Sequence, residues 1–239
     1  MKILITAGPT REPMDPVRYL SNRSSGKMGY AIAEAALRRG HEVALISGPV
    51  ALEAPRGARV TRVMTAEDML RAVEQQASSC DALVMAAAVA DWKPVSCAPG
   101  KMKKTGKPFA LRLVPTTDIL NKIKPLKGAR LFVGFAAETS RLVREAARKL
   151  REKNLDMIVA NDVSSSESGF EVDDNRVILM ARDGKKERCP LMSKKAVAEK
   201  IIRWMEAQRP ASNKKNQKTF CKQLTQRKNP ISLRTNKVR

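Results

Sequence analysis

The sequence predicts an α/β fold, a doubly wound, mostly parallel Rossmann-like sheet with helices on both faces and a flap or arm. Three observations predict it. Short apolar runs of strand length alternate with segments of helical period over most of the chain. The first run, Ile3 to Thr6, leads through a loop punctuated by Gly8, Pro9, Pro13 and Pro16 to a helix opening at Ser24-Ser25-Gly26-Lys27. That layout is the anion-binding entry of a doubly wound sheet, where backbone N–H groups and the helix dipole favour phosphate. The rhythm is broken once, from Asp91 to Thr117, by Pro94, Pro99, Gly100, Gly106 and Pro108.

The elements follow in order. Lys27–Arg39 has apolar residues at helical spacing and stops at Gly40. His41–Ser47 is a second strand, closed by Gly48-Pro49, and Ala58–Met64 a third. Thr65 to Asp68 resembles a capping box with Asp in place of Glu/Gln and opens a helix to about Gln76. Asp81–Val89 is a fourth, strongly apolar strand. The irregular Asp91–Thr117 stretch reads as the flap, ending in a two-residue-period run from Phe109 to Val114. Thr117 caps a short helix to about Lys124; Ala129–Ala137 is a strand, Glu138–Asn154 a helix with a basic outer face, and Leu155–Val163 a buried strand. Arg176–Ala181 is a short strand before an Asp183-Gly184 turn, and a last helix spans about Ser193 to Glu206. Ligands of such sheets bind beyond the carboxyl ends of the strands, so Gly8–Asn22, Ala86–Asp91, Phe135–Glu138 and Asn161-Asp162 are expected to converge on one edge.

Composition narrows the function classes. The chain has 239 residues and 43% hydrophobic content, enough for a sizeable core, but only 4% aromatics. No apolar run reaches membrane-spanning length, and a strand beginning at once predicts no signal peptide. Cys80, Cys97, Cys189 and Cys221 fit neither a zinc pattern nor a C-x-x-C pair, and His41 is the single histidine. A histidine metal site or triad is thereby nearly excluded, and free thiols in a reducing cytoplasm are expected. Net charge is +22. Ten of the 46 Lys/Arg and none of the 24 Asp/Glu lie from Gln208 onward, which leaves +12 for residues 1–207. Two regions are therefore expected: a folded domain, 1–207, and a basic, disordered tail, 208–239, that is either a solvated extension or an attachment to a polyanion such as nucleic acid.

The familiar phosphate motifs are incomplete. Gly26-Lys27 is followed by Met28 and preceded five positions earlier by Ser21, which rules out a Walker A loop; of a dinucleotide fingerprint only Gly26-x-x-Gly29 is present. The glycines serve either an anion or tight helix–strand packing. Asp91 ends an apolar strand and is suited to a ribose, a metal ion or a cap. Asn22 both donates and accepts and would orient a carbonyl or phosphoryl oxygen, or hold a turn. Lys101, Lys103 and Lys104 sit in the flap, where a mobile lysine suits a triphosphate and a solvated face is the alternative. Lys149 and Lys153, four apart, share a helix face.

The runs ITAGPTREPMDPVRYLSNRSSGKMG, AAAVAD (Ala86–Asp91), KMKK (Lys101–Lys104), VGFAAET (Val133–Thr139) and IVANDV (Ile158–Val163) resemble the bacterial phosphopantothenoylcysteine synthetase family over about residues 2–207. The resemblance implies a cytoplasmic, CTP-dependent ligase that joins 4′-phosphopantothenate to L-cysteine through an acyl-cytidylate, with Mg2+ accompanying the triphosphate. It implies a homodimer, no flavin in this chain, and a decarboxylase partner that most bacteria carry as the other half of one polypeptide; no such half is expected before Met1. Carried over by position, Asn22 handles the acyl-cytidylate and Lys101 acts on the triphosphate. Met85, Ala86, Ala87, Asp91, Thr117, Asp118, Ile119, Leu120, Phe135, Lys149 and Lys153 are nucleotide-binding positions. Arg18, Ser24, Gly26 and Lys27 serve substrate phosphate.

Two competing readings are weaker. A short-chain reductase needs an acid at the end of strand two and a Tyr-x-x-x-Lys pair, but that strand ends Ile46-Ser47-Gly48 and neither Tyr19 nor Tyr30 has a Lys four residues on. A nucleic-acid-binding protein would interleave its basic residues with exposed aromatics, which this chain does not.

Overall fold

The structure, a computed structural model, describes residues 1–138, 141–162, 169 and 171–208. Thr139, Val163 and the tail from Arg209, parts of stretches read above, lie outside the described residues. Two units are distinguished, Met1–Ile202 and Arg203–Arg239; within the second, the described residues continue the last helix.

The chain opens with β1 (Lys2–Ala7), a small hairpin of β2 (Arg11–Pro13) and β3 (Tyr19–Ser21), and α1 (Lys27–Arg38). Then come β4 (Glu42–Ser47), β5 (Arg59–Arg62), α2 (Ala66–Ala77) and β6 (Ala82–Met85). The flap is framed by β7 (Trp92–Pro94) and β8 (Leu113–Pro115), followed by α3 (Ile119–Ile123) and a 3-10 turn. After β9 (Leu131–Glu138), α4 (Leu142–Glu152) and β10 (Met157–Asp162) come β11 (Asp174–Asn175), β12 (Val177–Ala181), β13 (Lys186–Arg188), β14 (Met192–Ser193) and α5 (Lys194–Ala207).

Eight strands form one sheet in the order β13-β12-β10-β9-β6-β1-β4-β5. The six from β5 to β10 are all parallel, and their order by appearance is third, second, first, fourth, fifth, sixth, the dinucleotide-fold order. The topological switch point lies between β1 and β6. The Asp183-Gly184 turn joins β12 to β13, and these two strands extend the sheet antiparallel.

Strand residues alternate between the two faces. Leu4, Ile46, Leu83, Phe132 and Ile158 pack with Met69, Leu70 and Val73 of α2, Ile119 and Ile123 of α3, and Leu150 of α4. The opposite face, with Ile3, Ile5 and Leu45 buried, takes α1 through Tyr30, Ile32 and Ala36. Each such aliphatic side chain contributes about 1.5–3 kcal/mol on burial, which outweighs the low aromatic content.

Several boundaries differ from the sequence reading, each for a local reason. The fourth strand ends at Met85, not Val89, because the next residues turn to the loop after β1: Ala88 N–H donates to Gly8 O (2.9 Å) and Thr10 N–H to Ala88 O (3.3 Å). The strand expected over Phe109–Val114 is Leu113–Pro115, set by pairing with β7; Phe109 is exposed. The cap of α3 is Asp118, whose carboxylate accepts Asn121 N–H (3.2 Å), one residue beyond Thr117. The third strand spans only the residues that pair with β4. The fourth helix begins at Leu142 after Arg141 in a left-handed conformation (φ 51°). The capping box of α2 is present in both directions, Asp68 N–H to Thr65 Oγ1 (3.1 Å) and Thr65 N–H to Asp68 Oδ2 (3.0 Å). The β2–β3 hairpin inside the first loop is an addition that its Pro-rich sequence concealed.

Candidate active site

A cavity of about 470 Å³ opens at the carboxyl ends of β1, β6 and β9, at the switch point. The loop after β1 and the Ala86–Ala90 segment build it together. Thr6 Oγ1 accepts Ala87 N–H (3.2 Å) and Thr10 Oγ1 accepts Ala90 N–H (2.9 Å), both threonines being fully buried. Asn22 Nδ2 donates to Ala88 O (3.0 Å) and Val89 O (3.1 Å), so the asparagine fastens the two walls to each other. Its carbonyl oxygen makes neither of these bonds.

One end of the cavity is the start of α1. Gly26, in left-handed conformation (φ 80°), occupies the cap position with no side-chain cap, and no acidic residue lies in the first turn. The Gly26 N–H donates to Ser24 Oγ (3.3 Å), no acidic side chain offsets the positive end of the helix in its first turn, and Lys27 adds a positive charge. Gly29 brings α1 close to β1: a Cβ on it would lie 2.5 Å from Ala7 Cβ and 3.0 Å from Thr6 O. Of the two roles weighed for these glycines, packing is served by Gly29 at the strand, and Gly26, where a Cβ would lie 2.7 Å from Val50 Cγ1, sits on the cavity lining.

The other wall comes from α3 and α4. Lys149 and Lys153 both face the cavity, and Lys153 Nζ pairs with the capping Asp118 (3.1 Å). Phe135 of β9 is half-buried on the floor, while Met85, Ile119 and Leu120 are core residues whose edges reach the lining. Asp91 is exposed at the rim. The cavity thus brings together Asn22, Ser24, Gly26, Lys27, Met85, Ala86, Ala87, Asp91, Thr117, Asp118, Ile119, Leu120, Phe135, Lys149 and Lys153.

Arg18 and Lys101 are placed elsewhere. The Asp15 carboxylate, fully buried, accepts Val17 N–H (2.8 Å), Arg18 N–H (2.8 Å), Arg18 Nε–H (2.9 Å) and Met102 N–H (3.1 Å). Arg18 Nη2 also donates to Met102 O (2.6 Å). Burial pushes the Asp15 carboxyl up, but the Arg18 guanidinium and the N–H groups of Val17, Met102 and Arg18 outweigh it and hold the group well below the usual carboxylate range. Arg18 and Asp15 therefore clamp the residue next to Lys101, and the lysine itself is exposed on the flap, off the cavity lining.

Sequence reasoning missed Lys194 and Asn175, both buried and both lining the cavity. Neither belongs to an apolar period or a recognisable motif; the signal available was a lysine at the start of a helix, where a cation is disfavoured. Among the described residues no three His, Cys, Asp or Glu side chains cluster as a metal site. The exposed rim carboxylate Asp91 suits a magnesium ion that would keep its waters and be held mainly by phosphates. Among the described residues, no helix is long and apolar enough to cross a membrane.

Strand order, a helix N-terminus without an acidic first turn and a lysine-lined cleft at the switch point define a doubly wound α/β protein with its cleft where such sheets take their ligands. The chain belongs to the family of the DNA/pantothenate metabolism flavoprotein C-terminal domain, which matches residues 1–208. It is 46% identical over 206 residues to the coenzyme A biosynthesis bifunctional protein CoaBC of Bacillus subtilis, covering 86% of this chain and 51% of that protein. The chain therefore spans about half the length of the curated relatives it matches. A crystal structure of the C-terminal domain of a CoaBC protein superposes with a TM-score of 0.74 at 44% identity, covering 86% of this chain and 94% of that one. The DNA/pantothenate metabolism flavoprotein of Streptococcus pneumoniae superposes with a TM-score of 0.75 at 25% identity, over 87% and 100% of the two chains.

Proposed function

We propose that this chain is a phosphopantothenate–cysteine ligase that activates its substrate with CTP. The observation that carries the reading is the cavity itself: a switch-point cleft with an uncapped helix N-terminus at one end and Lys149 and Lys153 at the other, on a chain whose 46%-identical relative is named for coenzyme A biosynthesis. The substrate carboxylate attacks the α-phosphorus of CTP, the bond to the bridging oxygen breaks, and pyrophosphate leaves with that electron pair. The amine of L-cysteine then attacks the acyl carbon of the acyl-cytidylate, CMP departs, and the amine proton passes to solvent. No histidine base is needed.

In this scheme the first turn of α1, with Ser24, Gly26 and Lys27, receives a phosphate group. Lys149 and Lys153 neutralise the nucleotide, with Phe135 and the Met85–Ala87 and Thr117–Leu120 segments lining its site. Asn22 holds the Ala88–Val89 wall and leaves its carbonyl oxygen for the acyl-cytidylate. Asp91 would hold Mg2+, which supplies charge neutralisation of the triphosphate. Lys101 acts from the flap, and Arg18 combines a hold on the flap with a charge for the substrate phosphate. The chain works as a homodimer: Tyr19, Trp92, Val95, Phe109 and Leu113, all exposed on or beside the β2–β3 and β7–β8 hairpins, form the apolar surface a second copy would cover. A phosphopantothenoylcysteine decarboxylase is the partner that consumes the product, and residues 208–239 form a separate basic tail.

The test is product formation. With 4′-phosphopantothenate, L-cysteine, CTP and Mg2+, mass spectrometry should find phosphopantothenoylcysteine with one CMP and one pyrophosphate each, and Lys101→Gln should release no pyrophosphate. Absence of the amide, or its formation without nucleotide, overturns the reading.

A further inference from the structure

The N-terminal residue of α5 is a lysine with only 5% of its surface exposed. The location is doubly unfavourable: burial penalises the ammonium, and a helix N-terminus repels a cation. Burial, and then the charge of Lys27, push the Lys194 amine below the ordinary lysine range, against the opposing pull of Asp173 and Asp174. A side chain held at such cost for packing alone is expected to be Met or Leu.

Its contacts indicate another use. Lys194 Nζ donates to Gly169 O (2.9 Å) and to Val172 O, and its backbone N–H donates to Asp173 O (3.0 Å). Of the three ammonium donors, one has no partner among the described residues. From the other side, Lys27 Nζ donates to Glu171 O (3.3 Å) and Asp173 Oδ1 (2.7 Å). The short segment 171–173 is therefore gripped between the first residues of α5 and α1, two lysines that both line the cavity. The Asp173 carboxylate is 84% exposed, so its pair with Lys27 is a weak surface one that a phosphate can displace, while the Glu171 carbonyl remains as a tether.

We propose that Lys194 is a positioning residue for anion binding: it fixes the 171–173 segment, which in turn holds Lys27 at the uncapped turn of α1, so that the site for a di- or triphosphate group is assembled before the ligand arrives. This deepens the proposed function and rests on it for the identity of the ligand as a nucleotide phosphate chain.

The test is a double-mutant cycle of Lys27→Met and Lys194→Met in the full chain, with two readouts that do not require turnover. These are the calorimetric affinity for inorganic pyrophosphate and amide hydrogen exchange over 171–173. Each single variant should weaken pyrophosphate binding about tenfold, and the double variant no more than the weaker single, because the two act in series. Exchange over 171–173 should speed up in Lys194→Met. Additive losses, unchanged exchange, or unchanged pyrophosphate affinity each overturn the proposal. If Lys194→Met does not fold, Lys194→Leu, which also removes the donor, carries the same cycle; Lys194→Gln, which keeps an N–H donor for the two carbonyls, should restore both readouts toward wild type, and its failure to do so overturns the proposal. Wild-type protein that binds pyrophosphate but makes no amide with CTP would sink the proposed function and leave this inference standing.

Discussion

Asn22 fastens two walls of the cavity, and the proposed reaction gives it a second role. Its amide donates to two main-chain carbonyls, Ala88 O and Val89 O. An aspartate cannot donate, and its charge would face two carbonyl oxygens. Asn22→Asp is therefore expected to loosen the Ala88–Val89 wall and to lower amide formation from the acyl-cytidylate by roughly a hundredfold, the scale of misplacing the reacting groups by about 1 Å, while pyrophosphate release persists. Equal loss of both half-reactions in rapid-quench experiments would contradict this. A second carboxylate gives a pH prediction. Burial pushes Asp68 up, but the Thr65 N–H, the Arg71 guanidinium and the Thr65 hydroxyl bring it down to about 2. A folded-state value below the unfolded one of about 3.9 means stability that is present above about pH 4 and lost as pH falls toward 2. Asp68→Ala should therefore cost about 1 kcal/mol at pH 7, as a lost helix cap does, and in thermal melts the gap to wild type should narrow as pH falls from about 4 through 2. At this scale the sequence was informative where a residue's neighbours in the chain are its partners, as in the Thr65–Asp68 box. It was silent where partners are distant, as with Lys194 and Gly169 or Asn22 and Ala88.

The elements are legible for a related reason. Periodicity and Gly/Pro punctuation mark β1, α1, β4, α2 and α5 to within a residue or two, because burial of one face and a defined cap both act locally. The misplaced ends are those decided by tertiary hydrogen bonds: Ala86–Val89 leaves the sheet to join the loop after β1, and β8 takes its place from β7. The approach of α1 to β1 is such a tertiary constraint that one glycine allows. In an exposed helix Gly29→Ala would stabilise by about 1 kcal/mol. In this position the added Cβ meets Ala7 Cβ at 2.5 Å and Ala7 Cα at 3.1 Å, a strand that has no room to give. Overpacking of this kind costs about 1–3 kcal/mol, so a net loss is expected in urea unfolding; unchanged or higher stability would show that α1 moves freely over the sheet.

For the whole molecule, the order of the parallel strands decides where the cavity lies. Four separate stretches of sequence, Gly8–Asn22, Ala86–Asp91, the end of β9 and Asn161, meet at one rim because β1 and β6 are neighbours whose connections run in opposite directions across the sheet. That convergence was readable from the alternation of strands and helices. The parking of Lys101 outside the cavity was not, since it depends on the Asp15–Arg18 clamp on Met102. The cavity carries its own positive charge, since Lys27, Lys149, Lys153 and Lys194 line it, and the basic residues beyond Gln208 are not needed to account for that charge. The most direct test of the account is a crystal structure of the chain with CTP and Mg2+. It should show the triphosphate within hydrogen-bond distance of the first-turn amides of α1, and the base against Phe135 between the Met85–Ala87 and Thr117–Leu120 segments. A nucleotide bound away from this rim, or one whose phosphates point away from α1, would contradict it.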